Sequence, residues 1–245
     1  MPGLRFQGQA AGRERAAWLA RPGLEALLLE AQGAWHEPMP AIGGQAWLRL
    51  LPRPGWPLAE PEARFARRFT LVPEAGGWAG DWRCATAALP LASGTVSRID
   101  LRFVLETCAA PAALLAECAR LLRPEGRLLL MGLNPASPAR LRWRGQGLCP
   151  LSRRQVLALL ATAGLVPLRQ ACLGPRWRPS GGLAAESPPV EEGGAGRVAW
   201  AVLALRREAA GTPLRLARAG WRAAGAAGGV GTAGIGRVID RIIGR

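Results

Sequence analysis

One histidine, His36, is present in 245 residues. That scarcity excludes chemistry built on several imidazoles, such as a His-rich metal centre. The five cysteines (Cys84, Cys108, Cys118, Cys149, Cys172) are odd in number and form no Cys-x-x-Cys pair, so neither a disulfide framework nor a zinc site is indicated. No apolar run escapes interruption by Arg, Glu, Pro or Gly, which argues against a membrane-spanning helix. The opening stretch "MPGLRFQGQAAGRERAAWLARPG" lacks the continuous apolar core of a signal peptide, and a cytoplasmic protein is expected. No Gly-x-Ser-x-Gly elbow occurs, so a serine hydrolase using His36 has no support. Lysine and tyrosine are both absent, and all 32 basic residues are arginine.

What is present is arginine, alanine, glycine, proline and ten tryptophans, with a formal net charge of +15. Such a balance invites a nucleic-acid reading. The exclusive use of arginine also fits compositional drift, which would make part of the charge solvated surface. A length of 245 residues with 49% hydrophobic content accommodates one sizeable domain, or one domain and a tail.

Local patterns supply the elements. "RPGLEALLLEAQGAW" predicts a helix with Pro22 at its first position and Leu24, Leu27 and Leu28 on one face. Residues 45–51 and "RRFTLV" read as strands, and "GGWAGDWRCATAALPLASG" holds a weak third strand before a Leu89-Pro90 loop. "VSRIDLRFVLE" is a strand running into a loop. In "APAALLAECARLL", Leu114, Leu115, Cys118, Leu121 and Leu122 repeat at helical spacing from Pro111. Arg123-Pro124-Glu125-Gly126 is a turn, and "GRLLLMGL" suits a strand buried on both faces. A helix follows, with a Ser152…Gln155 capping box and Gly164 past its end. "LVPLRQACL" and "GRVAWAVLALRR" are late strands separated by a long Pro/Gly/Ser loop.

This order predicts an α/β fold: a doubly wound, mostly parallel sheet with helices on both faces. The expected domain spans residues 16–205. Residues 206–245 carry eight arginines against Glu208 and Asp240, and are expected to be a disordered basic tail. Within it, Ile235, Val238, Ile239, Ile242 and Ile243 share one face of a short terminal amphipathic helix. That helix would dock on the domain, or touch a partner or membrane.

The segment "LPLASGTVSRIDLRFVLETCAAPAALLAECARLLRPEGRLLLMGLNPAS" resembles the central part of class I S-adenosylmethionine-dependent methyltransferases of the methyltransferase type 11 group. Leu89, Pro90, Leu105, Glu106, Pro111, Leu115, Glu117, Arg120, Leu122, Pro124, Gly126, Gly132, Asn134, Pro135 and Ser137 carry the likeness. It is dense over residues 89–140 and looser over residues 16–216. It implies a Rossmann-like fold, S-adenosylmethionine as cofactor, and an unknown methyl acceptor. It also implies a cofactor site at Leu51 and Gly55 after the first strand, Glu74 after the second, Ala85 and Thr86 after the third, and Arg102 and Phe103 after the fourth. Asn134 and Ser137 would lie on the substrate side. The resemblance designates no catalytic side chain.

The chain departs from the family pattern at several points. Only Gly55 stands where a glycine-rich loop is expected. Ala85 and Ser97 replace carboxylates, and Arg98 and Asp100 occupy positions where apolar residues are expected. The alternative is therefore a catalytically inactive methyltransferase-like interaction or RNA-binding module. It would use Arg140, Arg142, Arg144, Arg153 and Arg154, with Trp143 interleaved to stack bases.

Overall fold

The computed structural model of the chain describes residues 22–35, 44–58, 64–74, 76–177, 183–184 and 196–207. Chain contacts divide it into Met1–Ala209 and Ala210–Arg245; Arg206, the expected first residue of the tail, ends the last strand, while residues 208–245, where a terminal helix is expected, and His36 lie outside the described residues.

Helix α1 (Pro22–Gly33) begins on Pro22, and its Leu24, Leu27 and Leu28 are buried. A nine-stranded sheet follows: β1 (Gly44–Leu50), β2 (Phe65–Glu74), β3 (Gly77–Gly80), β4 (Cys84–Ala85), β5 (Val96–Arg102), β6 (Leu122–Leu133), β7 (Leu165–Trp177), β8 (Leu183–Ala184) and β9 (Arg197–Arg206). Their order across the sheet is β4-β3-β2-β1-β5-β6-β9-β7-β8. The core strands β2, β1, β5 and β6 are parallel to their neighbours within that group. Both flanks are antiparallel, so the sheet is mixed around a parallel centre. Helix α2 (Pro111–Leu121) joins β5 to β6 as the crossover that a parallel pair demands.

Alternation along each strand sends successive side chains to opposite faces. Leu128 and Leu130 join the core that includes Leu114, Leu115 and Cys118 of α2 with Val156 and Leu160 of α3 (Arg153–Thr162). Leu129 and Met131 join the opposite core with Leu24, Leu28 and Ala31 of α1. Helices therefore lie on both faces, as expected.

Two local expectations change. Arg123–Gly126 does not stand apart as a turn. It forms an irregular start to β6, where the pairing shifts between Val96 and Arg98 and Glu125 has φ +61. The weak third strand is a pair of short antiparallel strands, β3 and β4, at the sheet edge. The described part of the connection from β1 to β2, residues 51–58, is loop where a helix commonly covers a parallel pair.

Candidate functional site

From β1 the chain moves to β2 on one side, and later places β5 on the other side of β1. This reversal is the topological switch point, and in open α/β sheets ligands bind outside the carboxyl ends of the strands there. The residues just past those ends are Leu51 and Phe103. Both are buried, and their backbone N–H groups donate to Leu71 O (2.9 Å) and Met131 O (2.8 Å). Phe103 holds φ +51, an unusual conformation for a side chain of this size, and stays there because its ring is packed into the core. Trp56 meets it edge-on with ring centroids 6.0 Å apart. The Trp56 indole N–H donates to Gln32 Oε1 (2.9 Å), and Gln32 Nε2 donates to Pro57 O (2.7 Å), clipping α1 to the loop after β1. Arg53 pairs with Glu25 of α1 in the same connection.

Arg98, Asp100 and Arg102 alternate along β5 and so share a face. Arg98 Nε donates to Asp100 Oδ1 (2.6 Å), and Arg102 Nη2 donates to Asp100 Oδ2 (3.0 Å). Burial pushes the Asp100 carboxyl up, but the two guanidinium charges outweigh it and hold the group below its ordinary value. Arg98 and Asp100 are the residues that stood where apolar ones are expected. The sheet tolerates them because they neutralise one another in part. The remaining charge lies against Trp47, whose ring has the Arg49, Arg68 and Arg98 guanidiniums at 5.0, 5.9 and 5.5 Å.

Beside this strand end opens a cleft of about 540 Å³, lined by Leu29, Gln32, Trp35, Pro57, Leu58 and Arg102. Its size and apolar wall suit an adenosine-sized ligand. Among the described residues it offers no carboxylate to accept from ribose hydroxyls. Glu74 faces Arg83 at 3.3 Å on the exposed edge, and Asp100 is committed to the arginines. The cleft therefore fits S-adenosylmethionine in volume and hydrophobicity and, among the described residues, lacks the expected acceptor.

Of the residues designated from sequence, Leu51, Arg102 and Phe103 come together. Gly55 sits nearby in an exposed turn with φ +66. Ala85 and Thr86 do not join them. The sheet order puts Ala85 four strand spacings from β5, roughly 19 Å, and Thr86 O accepts from Trp78 Nε1 at 3.1 Å. Asn134 and Ser137 are buried in local structure. Asn134 Nδ2 donates to Arg197 O (2.9 Å), Asn134 Oδ1 accepts from Ala136 N (3.1 Å), and Ser137 Oγ accepts from Ala139 N (3.2 Å) at the start of a short 3-10 helix. Trp35, Trp56 and Gln32 were missed. Tryptophans beside breaker-rich loops were the available signal, but only the tertiary contact places them at the strand ends.

Of the interleaved arginines, Arg140, Arg142, Arg144 and Arg154 are exposed, while Arg153 is half-buried with its Nη1 3.9 Å from Cys172 Sγ. Arg140 and Arg144 border a second cleft of about 410 Å³. Trp143 is 3% exposed and belongs to the core, so it offers no free face to a base. Among the described residues there is no group of His, Cys, Asp and Glu able to hold a metal ion, and no helix is long and apolar enough to cross a membrane.

Another buried acid lies behind the strand ends. Glu106 Oε1 accepts from Leu133 N (2.6 Å), and its Oε2 has no partner. Burial pushes its carboxyl up to about 7, and the Leu133 N–H offsets only part of that. Gly132 makes room for it, since a Cβ there would lie 2.8 Å from Glu106 Oε1 and 2.3 Å from the Trp200 ring.

Residues 61–130 match the family described as Methyltransferase domain. That range runs from just before β2 into β6, and so includes β5 and α2. No curated protein matches the chain. Among solved structures, the methyltransferase in a complex with the Haloferax volcanii Trm112 methyltransferase activator is similar over 81% of this chain and 98% of its own, at 17% identity and a TM-score of 0.55. A SAM-dependent methyltransferase from Archaeoglobus fulgidus is similar over 83% and 100%, at 11% identity and a TM-score of 0.50. These likenesses establish the class I methyltransferase fold and bear out the resemblance read from residues 89–140.

Proposed function

We propose that this chain, which has the class I methyltransferase fold, is an S-adenosylmethionine-dependent methyltransferase whose ligands meet in the cleft between α1 and the carboxyl ends of β1 and β5. The supporting observation is a coincidence of two independent signals. The family match covers β5, and β5 delivers Arg102 to the wall of the cleft at the switch point. The cofactor would supply a methyl group on a sulfonium. Leu29, Trp35 and Leu58 would cover its ring system and exclude water. Methyl transfer depends chiefly on positioning and a dry site, so the single histidine is no obstacle. Calorimetric titration of the full chain with S-adenosylmethionine and its demethylated product tests the reading. Saturable binding of either is expected. No heat at millimolar ligand, together with no thermal shift, overturns it.

A second reading, a non-catalytic relative, is favoured by one feature. Trp56 and Phe103 fill the space immediately past β1 and β5, where the cofactor loop would otherwise approach. In that case the exposed Arg140, Arg142 and Arg144 would meet phosphates as point charges, without base stacking by Trp143. RNA affinity that falls log-linearly with salt, alongside silence toward the cofactor, is the outcome that selects this reading.

A further inference from the structure

The second cleft opens past the carboxyl end of β6 and is lined by Pro135, Arg140, Trp143, Arg144, Leu148 and Pro150. It is anchored from two sides. On one side Ser137 Oγ accepts from Ala139 N to start the 3-10 helix Pro138–Arg142, and Ala139 and Trp143 are buried in the core that holds Phe103. On the other side Cys149 N donates to Glu106 O (2.9 Å), and Trp200 Nε1 donates to Leu151 O (2.9 Å). Between these anchors Gly145 and Gly147 hold φ +78 and +67, the left-handed backbone that folds the chain back on itself. The cleft is thus preformed.

Its charge is unbalanced. Arg144 N donates to Arg140 O (2.9 Å), an i to i−4 bond that sets the two arginines side by side, where like charges repel. Both are exposed, and among the described residues neither guanidinium has an ion pair or a hydrogen bond. No lining residue is acidic. Residues 126–185 contain nine arginines and no aspartate or glutamate, so this part of the chain supplies no counter-charge of its own. Glu106 anchors the cleft through its carbonyl, but its carboxylate is buried and accepts from Leu133 N (2.6 Å).

Two guanidiniums call for a dianion. A carboxylate brings one charge and two oxygens, which a single guanidinium can satisfy. A phosphate monoester brings about two charges near neutral pH and three terminal oxygens. An RNA phosphodiester brings one charge per phosphate, and Trp143 is too buried to stack a base. We propose that the second cleft binds a small phosphate monoester, its phosphate bridged by Arg140 and Arg144 and its body against Leu148 and Pro150. On the reading of the first cleft as the cofactor site, this ligand is the methyl acceptor. The two clefts lie past the ends of neighbouring strands, β5 and β6, so both can be filled at once.

The test uses the full chain and calorimetric titration at pH 8, with phenyl phosphate and phenyl sulfate as probes. The two share a tetrahedral anion and differ by one charge. Phenyl phosphate is expected to bind about tenfold more tightly than phenyl sulfate. Arg140→Gln and Arg144→Gln should each weaken phenyl phosphate by about tenfold, and the double variant should bring both probes to the same weak affinity. Arg67→Gln, which removes an equal charge from an exposed position on β2, should change the affinity by less than about twofold. Phenyl phosphate should bind as well when S-adenosylhomocysteine saturates the protein. Equal affinity for the two probes overturns the proposal. So do equal losses in Arg67→Gln and Arg140→Gln, which would mean attraction by overall charge alone. Displacement of phenyl phosphate by S-adenosylhomocysteine also overturns it, because the phosphate then sits in the first cleft. No response to phenyl phosphate, beside salt-dependent RNA binding that Arg140→Gln weakens, assigns these arginines to nucleic acid instead. Binding of phenyl phosphate with no response to S-adenosylhomocysteine leaves this site standing and removes the methyl-transfer reading; the reverse result sinks the phosphate site alone. Both substituted side chains are exposed, and the comparison of the two probes on the wild-type chain needs no variant.

Discussion

At the scale of single residues, two buried carboxylates behave oppositely because of what faces them. Glu106 has one oxygen without a partner, so burial outweighs the backbone N–H groups and raises its pKa from the ordinary 4.5 to about 7. The folded state then holds a proton that the unfolded chain has released, and stability falls as pH rises between those values. The contribution levels off above pH 7 at about 3 kcal/mol of destabilisation. Glu106→Gln should remove most of that slope, leaving the variant at least as stable as wild type at pH 8 in urea unfolding. A variant with an unchanged slope between pH 5 and 8 would show that another group is responsible. Asp100 is held low by Arg98 and Arg102, so its contribution is present above its ordinary pKa and is lost as pH falls through the lower folded value. Asp100→Asn removes the carboxylate that Arg98 and Arg102 share, and should cost about 3–5 kcal/mol at neutral pH by denaturant unfolding. A loss below about 1 kcal/mol would mean that the arginines find other partners on that face.

At the scale of elements, the resemblance residues of α2 have a positioning task. Glu117 Oε1 accepts from Leu89 N (2.9 Å). Arg120 donates to Leu91 O (3.0 Å) and Ser93 Oγ (2.9 Å), pinning the Leu89-Pro90 loop that feeds β5. The hydrogen bond from Arg120 holds Glu117 below its ordinary pKa, with burial opposing it. Arg120→Met should speed amide exchange at residues 91–94 while leaving β6 protected, as read by hydrogen–deuterium exchange. Equal protection of that loop in both proteins would refute the pinning role. Helix α3 carries the capping box expected of Ser152 and Gln155, with Ser152 Oγ accepting from Gln155 N at 3.3 Å and Gln155 Oε1 accepting from Ser152 N at 2.8 Å. Ser152→Ala should cost about 1 kcal/mol in urea unfolding.

At the scale of the whole molecule, the parallel core β2-β1-β5-β6 places a cleft at its switch point, and the antiparallel β9-β7 pair extends the sheet on one flank. Ligand binding there must show as stability. A cofactor present at a hundred times its dissociation constant adds about 2.7 kcal/mol, read as a raised melting temperature. Removing residues 208–245 should leave that shift in place if the cleft alone binds the cofactor. A shift that disappears with the tail would place tail residues in the site. The same truncation should reduce the salt slope of any RNA binding, because those residues contain six of the arginines.

Local periodicity and punctuation were sufficient for α1, α2, α3 and for β5, β6, β7 and β9, while β8 lies inside the stretch read as a loop. In each of them the side-chain pattern, Pro at a helix start, the Ser152 cap and Gly164 at φ +73 agree with the buried faces. The parallel run from β5 to β6 was legible for the same reason: "GRLLLMGL" is apolar at every position that both cores require. The site was less legible. Arg98 and Asp100 read as misplaced charges in a strand, because their pairing with each other and with Arg102 exists only once β5 is extended and buried. Glu74, Ala85 and Thr86 were grouped with Phe103 by motif order. The antiparallel β3-β4 edge separates Ala85 and Thr86 from it, a choice made by strand pairing across the sheet. Trp35 and Trp56, far apart from Arg102 in the chain, become its neighbours only when α1 packs over the strand ends. Periodicity is a property of neighbours in sequence, and it determined the elements. Which side chains share a cleft depends on how three separate segments come together, and only the packed sheet decides that.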